Sequence, residues 1–287
     1  MTLPRLGKVL VAQMKIGIAG LCLLAVALLP VAARADALGS ADKCAVLGAS
    51  AVTNTGSSVI SGGVCGSAGT TTATAITGFP PGIVNNGIVN DNNAVAMNAH
   101  QAAINAFNAL STMPATTSFI VPTDLGGLTL MPGVFSFSSS AGITGPLTLN
   151  FGGASNLNFV FLIGSTLTTA SASSVSVINP GTNDNIYWVV GSSATLGTNS
   201  SFMGNIIADQ SITLTTGATI NCGSALAING AVTLDDNHIN SCSSAAAGGT
   251  GGGTGGTGGT TPEPSSLLLL GTGLIGCAGV LRRKLLR

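Results

Sequence analysis

Few side chains in this sequence can do acid–base, nucleophilic or metal chemistry, and their spacing works against each. His100 and His238 have no second ligand at metal-binding distance along the chain, so neither marks a metal centre. Asp235 and Asp236 are the one adjacent pair of carboxylates. Neighbours on a strand point to opposite faces, whereas a hydrolytic pair must flank one bond. Asp184 and Asp209 stand alone beside turn sequences. No catalytic residue, metal or cofactor is therefore expected. Cys44, Cys65, Cys222 and Cys242 form an even set, which in an exported chain reads as two disulfides with three possible connectivities. The chemistry that remains belongs to hydroxyl groups, because Thr and Ser recur throughout at regular intervals.

Charge narrows the function further. Of nine Lys and Arg, Arg5, Lys8, Lys15 and Arg34 lie near the N-terminus, and Arg282, Arg283, Lys284 and Arg287 lie at the C-terminus. Only Lys43 falls between, against Asp36, Asp42, Asp91, Asp124, Asp184, Asp209, Asp235 and Asp236. A domain so poor in cations cannot neutralise a phosphate backbone, which excludes nucleic acid as a partner.

A repeat must position the hydroxyls. Thr-Leu pairs occur at Thr129, Thr148, Thr166, Thr195, Thr213 and Thr233, with spacings of 19, 18, 29, 18 and 20 residues. The long interval holds Asn179-Pro180-Gly181-Thr182-Asn183-Asp184, a turn-rich insertion. Between the pairs run short apolar stretches such as Phe159–Ile163 and Ile186–Val190, separated by Gly, Ser and Asn. A period near 18–20 with about three short strands is one coil of a β-solenoid. Leu, Ile, Val and Phe stack inward from coil to coil, and Thr and Ser alternate outward. One segment breaks the pattern. Residues 91–111 are Ala-rich, Asp91 suits an N-cap, and Met97, Ile104, Phe107 and Leu110 share a stripe, so a helix is expected there. Cys222 and Cys242 each follow a repeat Thr by nine residues, which places them on adjacent coils within bonding reach. Cys44 and Cys65 could be bridged similarly. If the helix returns the chain to the far end, a bridge between the two pairs is also open.

The ends are addresses rather than fold. Residues 1–35 read as a signal peptide, with Lys8 and Lys15 before an apolar run and Ala33-Arg34-Ala35 as the cleavage pattern; the start could be Met1 or Met14. Residues 36–247 form the domain, and 248–261 a Gly/Thr-rich linker. Residues 262–287 begin Pro262-Glu263-Pro264, continue through an apolar stretch from Leu267 to Leu281, and close on the basic cluster. This order resembles the PEP-CTERM sorting signal. The resemblance implies an exosortase-like protease as a partner. The protein would then be secreted or attached at the outer cell surface, after transient anchoring by the C-terminal segment as a transmembrane helix.

A second resemblance covers the domain. Ala45-Val46-Leu47, Val52-Thr53-Asn54-Thr55-Gly56, Ala75–Gly82, Asp124–Leu130, Pro132–Phe135, Ser165–Ala170, Gly191–Asn199 and Asn229–Leu234 occur in the order found in microbial ice-binding (antifreeze) proteins of the DUF3494 family. The resemblance implies a mostly β fold, a right-handed three-faced β-solenoid with one long α-helix packed alongside. It also implies adsorption to ice through a flat Thr/Ser-rich face, inhibiting ice growth and recrystallisation, and a monomer is expected. In that family ice-contacting strands often approximate Thr-Ala/Gly-x-Thr/Asn. Thr216-Gly217-Ala218-Thr219 fits this pattern, and the segments from Thr144, Thr169 and Thr198 fit in part. The first candidate face is thus Thr144, Thr169, Ser171, Thr198, Ser200, Thr216 and Thr219, and the second is Thr148, Thr166, Thr195 and Thr213. The competing reading is a non-catalytic cell-surface adhesin or exopolysaccharide-matrix protein. It would use the same hydroxylated solenoid, tether and sorting signal.

Overall fold

The computed structural model of the chain describes residues 37–67, 75–119 and 122–242, all within one compact unit, Met1–Gly249. The signal segment, the linker and the sorting segment lie outside the described residues. Among the described residues no helix is long and apolar enough to cross a membrane.

Strands of two to six residues wind into stacked coils, each contributing one strand to each of three all-parallel sheets. The inward side chains make one continuous core that includes Val52, Ile60, Leu147, Leu167, Trp188, Phe202, Leu214 and Val232. Trp188 belongs wholly to this core. Its ring stacks on Phe161 at 3.8 Å, and its indole N–H donates to the Met203 carbonyl at 3.0 Å. The Asn179–Asp184 insertion stacks on the corner of the preceding coil, where the Asp184 carboxylate accepts from the N–H groups of Leu157 and Gly181.

Sequence order and spatial order diverge at one place. The first coil (Cys44–Gly48, Ala51–Thr55, Val59–Ser61) pairs on one side with the coil that follows it. On the other side it pairs with the last coil (Ala225–Ala227, Ala231–Asp235, His238–Asn240). Helix α1, Ala94–Ser111, makes this possible, because it carries the chain past the intervening coils before winding resumes at Thr117–Phe119. Both disulfides link adjacent coils, Cys44 to Cys65 and Cys222 to Cys242, and the bridge between the two pairs does not form.

Helix α1 lies against the first, nine-stranded sheet and buries that sheet's outer face. Strands such as Asn185–Val190 are therefore apolar on both sides, as expected of a parallel sheet covered twice. Two details of the helix differ from expectation. Its N-cap is Asn93, whose side chain accepts from Ala96 N–H. Asp91 instead ends a strand and bonds Ala75 N–H. The buried stripe is Ala96, Ala99, Ala103, Ala106 and Leu110, while Met97 is 50% exposed and Ile104 and Phe107 are half-buried. The helix must approach a sheet already crowded by Leu47, Tyr187, Val189, Ile207 and Leu226, and alanines permit that approach. His100 is spent on the same contact, with its Nε2 2.7 Å from the Ile228 carbonyl oxygen.

Candidate functional site: a threonine column on the open face

With the first sheet covered by the helix, two faces remain open. The third sheet's outer column runs, in register, Pro146, Ser174, Ser201, Thr219, His238, Val59 and Ile83. A proline, a histidine and two β-branched aliphatics interrupt its hydroxyls, and a second outward column on the same sheet changes from the hydroxyls of Thr129, Thr148 and Ser176 to Met203, Asn221 and Asn240, so neither column repeats one group along its length.

The second sheet differs. Its outer column reads Thr77, Thr53, Thr233, Thr213, Thr195 and Thr168, each directly paired with the next, followed by Gly142 and Asp124. Six threonines thus repeat at the coil spacing, about 4.7–4.9 Å. They occupy the outward positions of strands whose inward neighbours, including Val52, Val232, Ile212, Leu196 and Leu167, fill the core. Alternation along each strand fixes this orientation, and β-branching suits Thr to it. Among the described residues the hydroxyls of Thr77, Thr213, Thr195 and Thr168 bond no protein group, and those of Thr53 and Thr233 meet only each other, at 3.5 Å. The column therefore offers water a row of free hydroxyls and methyls.

The flanks behave differently, because their hydroxyls are engaged within the fold. Ser140 and Thr166 bond each other at 2.9 Å, and Ser211 accepts from Ala231 N–H. At the corner leading to the third sheet, Thr215 donates to the Leu196 carbonyl and Thr198 to Thr215. The two acids near the face are tied down as well. Asp235 accepts from the hydroxyls of Thr216 and Thr55. Asp124 accepts from the Thr144 hydroxyl and from the N–H groups of Gly126 and Thr144. These bonds, the Thr144 hydroxyl first and then the Gly126 N–H, hold the Asp124 carboxyl below the usual carboxylate range against a small opposing effect of burial.

The first candidate set is dispersed by the fold. Ser171, Thr198 and Thr216 stack along the corner, with Ala172 N–H donating to the Thr198 carbonyl and Asn199 N–H to the Thr216 carbonyl. Thr169 and Ser200 are 3% and 2% exposed and offer no hydroxyl to a surface. Thr169 turns inward to accept from Gly197 N–H, and Ser200 is a buried corner residue. Thr144 lies at the Asp124 corner, and Thr219 opens a strand of the third sheet. The motif Thr216–Thr219 thus describes a corner: Gly217 takes a left-handed φ of 72° and Ala218 is fully buried.

The second set is nearer the column but is also split. Thr195 and Thr213 are in it, Thr166 lies two residues before the column position Thr168, and Thr148 sits on the third sheet between Thr129 and Ser176. The interval from Thr148 to Thr166 is a step between faces, although it has the length of a coil. Neither candidate set includes Thr53, Thr77, Thr168 or Thr233, although all four lie in the segments that carry the family resemblance. Alternation could have flagged Thr53 and Thr233, but their adjacency depends on the last coil joining the first.

Comparison with known proteins agrees with this architecture. Residues 46–240 match the family described as Ice-binding-like, and residues 260–284 match the PEP-CTERM protein-sorting motif. The chain is 48% identical over 255 residues to an ice-binding protein of Nostoc sp. (strain HG1), covering 88% of this chain and 89% of that protein. The ice-binding protein of the Antarctic ascomycete Antarctomyces psychrotrophicus superposes with a TM-score of 0.65 at 39% identity, over 71% of this chain and 96% of that one. One from an Antarctic Biological Consortium gives 0.64 at 41%, over 70% and 89%. With the solenoid, its flanking helix and nearly the full length of a relative all matched, this chain belongs to the ice-binding-like family and carries a PEP-CTERM sorting motif.

Proposed function

We propose that this protein adsorbs to ice through the column Thr77, Thr53, Thr233, Thr213, Thr195 and Thr168, and thereby inhibits ice growth and recrystallisation. The observation that carries this reading is the unbroken register of six outward threonines whose hydroxyls are not consumed inside the fold. Ice offers a binder no charge and no pocket, only order. A repeating array of hydroxyls can anchor waters at fixed intervals while the intervening methyls are caged by others. The array is held by a packed core and by engaged flanking hydroxyls, so docking orders few side chains. The corner residues Ser171, Thr198 and Thr216 form the rim of the same surface. Adsorption needs no catalysis, and the isolated carboxylates fit a non-enzymatic role.

The sorting motif supports export, with an exosortase-like protease as the processing partner and a secreted or surface-attached product. The relatives named above are ice-binding proteins, and the adhesin or exopolysaccharide-matrix reading finds no support among them. The test is an ice recrystallisation assay on the purified protein. Small crystals persisting in its presence support the reading, and coarsening equal to that with an inert protein sinks it.

A further inference from the structure

The second sheet continues for two strands beyond the last threonine of the column. Thr168 pairs with Gly142 on the strand Ala141–Ile143, and Gly142 pairs with Asp124 on the strand Thr123–Asp124. The scaffold therefore has room for a column of eight, and side chains alone stop it at six. We propose that Gly142 and Asp124 set the length of the ice-contacting column. This rests on the reading of that column as the ice-binding surface.

Gly142 is not there for the backbone. Its φ lies outside the left-handed region, and it occupies the outward position of a regular strand. A Cβ added there would meet its nearest neighbours, the Thr123 carbonyl oxygen, an Asp124 carboxylate oxygen and the Thr168 carbonyl oxygen, at 3.9 to 4.0 Å, ordinary van der Waals contact. Gly197, one of the corner glycines beside this face, contrasts with it: a Cβ there would lie 2.5 Å from the backbone of Ala170. A glycine inside a strand weakens it and leaves a gap where a side chain could pack. Gly142 therefore opens a notch one side chain wide at the end of the column, in a place where the fold accepts a larger residue.

Beyond the notch stands Asp124, exposed and fixed by three hydrogen bonds from Thr144 and Gly126. A carboxylate orients surrounding water around its charge, which competes with the regular arrangement a threonine row imposes. Notch and charge together end the array. They do so without disturbing the coils, since Asp124 closes the corner that Thr144 and Gly126 form.

The test is the concentration giving half-maximal inhibition of ice recrystallisation, for the protein and three variants matched in melting temperature. Gly142→Thr lengthens the column to seven and is expected to lower that concentration roughly two- to fivefold, equivalent to about 0.4–1 kcal/mol at 1.4 kcal/mol per tenfold. Thr168→Gly moves the notch inward and is expected to raise it by a similar factor. Thr213→Tyr, in the middle of the column, separates this proposal from the reading beneath it. If Thr213→Tyr abolishes inhibition while Gly142→Thr and Thr168→Gly leave it unchanged, column length is irrelevant, and the proposal falls with the surface intact. A loss of activity in Gly142→Thr would likewise overturn it. If Thr213→Tyr is fully active, the surface itself is misassigned and the proposal goes with it. Should Gly142→Thr fold poorly, Thr168→Gly decides alone.

Discussion

Replacing Thr213 by Tyr tests the functional surface most directly. Thr213 sits between Thr233 and Thr195, with its hydroxyl free and its backbone in a strand that tolerates aromatic residues, so the fold is expected to survive. The ring projects past the threonine methyls, and the coils are only about 4.8 Å apart, so it also overhangs both neighbours. Contact energy falls steeply with distance. A gap of roughly 0.5–1 Å already forfeits a quarter to a half of a van der Waals well, so the two flanking threonines lose their contact together with Thr213. Three of six steps are then lost. At about 0.5–1 kcal/mol for each hydroxyl–water contact that is the loss of roughly 1.5–3 kcal/mol, or about a ten- to hundredfold loss of affinity. The assay is half-maximal recrystallisation inhibition, with Thr216→Tyr beside it. Thr216 lies on the corner and donates to Asp235, so its replacement is expected to have the smaller effect. Full activity in Thr213→Tyr combined with loss in Thr216→Tyr would refute the column and restore the corner as the site.

Other consequences concern what holds the face in place. Ala103 is fully buried between helix α1 and the first sheet, so Ala103→Leu should overpack that contact by about 1–3 kcal/mol. That lowers the melting temperature by several degrees while activity near 0 °C persists. The Cys222–Cys242 bridge closes a separation of 20 residues. Replacing both cysteines by Ser should therefore destabilise the domain by about 3 kcal/mol in a denaturant titration, and reductant should cost the parent more than the variant, which has only the Cys44–Cys65 bridge left to lose. Asp124 has a folded pKa below its unfolded value near 3.9, so its contribution to stability is present above that value and is lost as pH falls through the folded pKa. Melting temperature should decline below about pH 4, and Asp124→Asn should flatten that decline; an identical slope in both proteins would rule out this origin.

Much of the molecule was legible in the sequence because its signals are local. Alternating Thr and Leu, glycine-rich corners and an Ala-rich interruption imply a solenoid with a helix, since strand period, turn chemistry and helix propensity act over a few residues. The spacing of the cysteines placed each pair within reach. Tertiary structure alone decided which threonines share a face. The strands of the two open sheets alternate apolar and hydroxyl residues in the same way, so nothing local separates Thr148, on the third sheet, from Thr195, on its neighbour. Loops such as Asn179–Asp184 lengthen one coil and not another, which breaks a fixed count. Thr53 and Thr233 are 180 residues apart and become neighbours only because helix α1 returns the chain and the last coil closes against the first. That pairing depends on contacts between distant coils, and no short-range pattern encodes it.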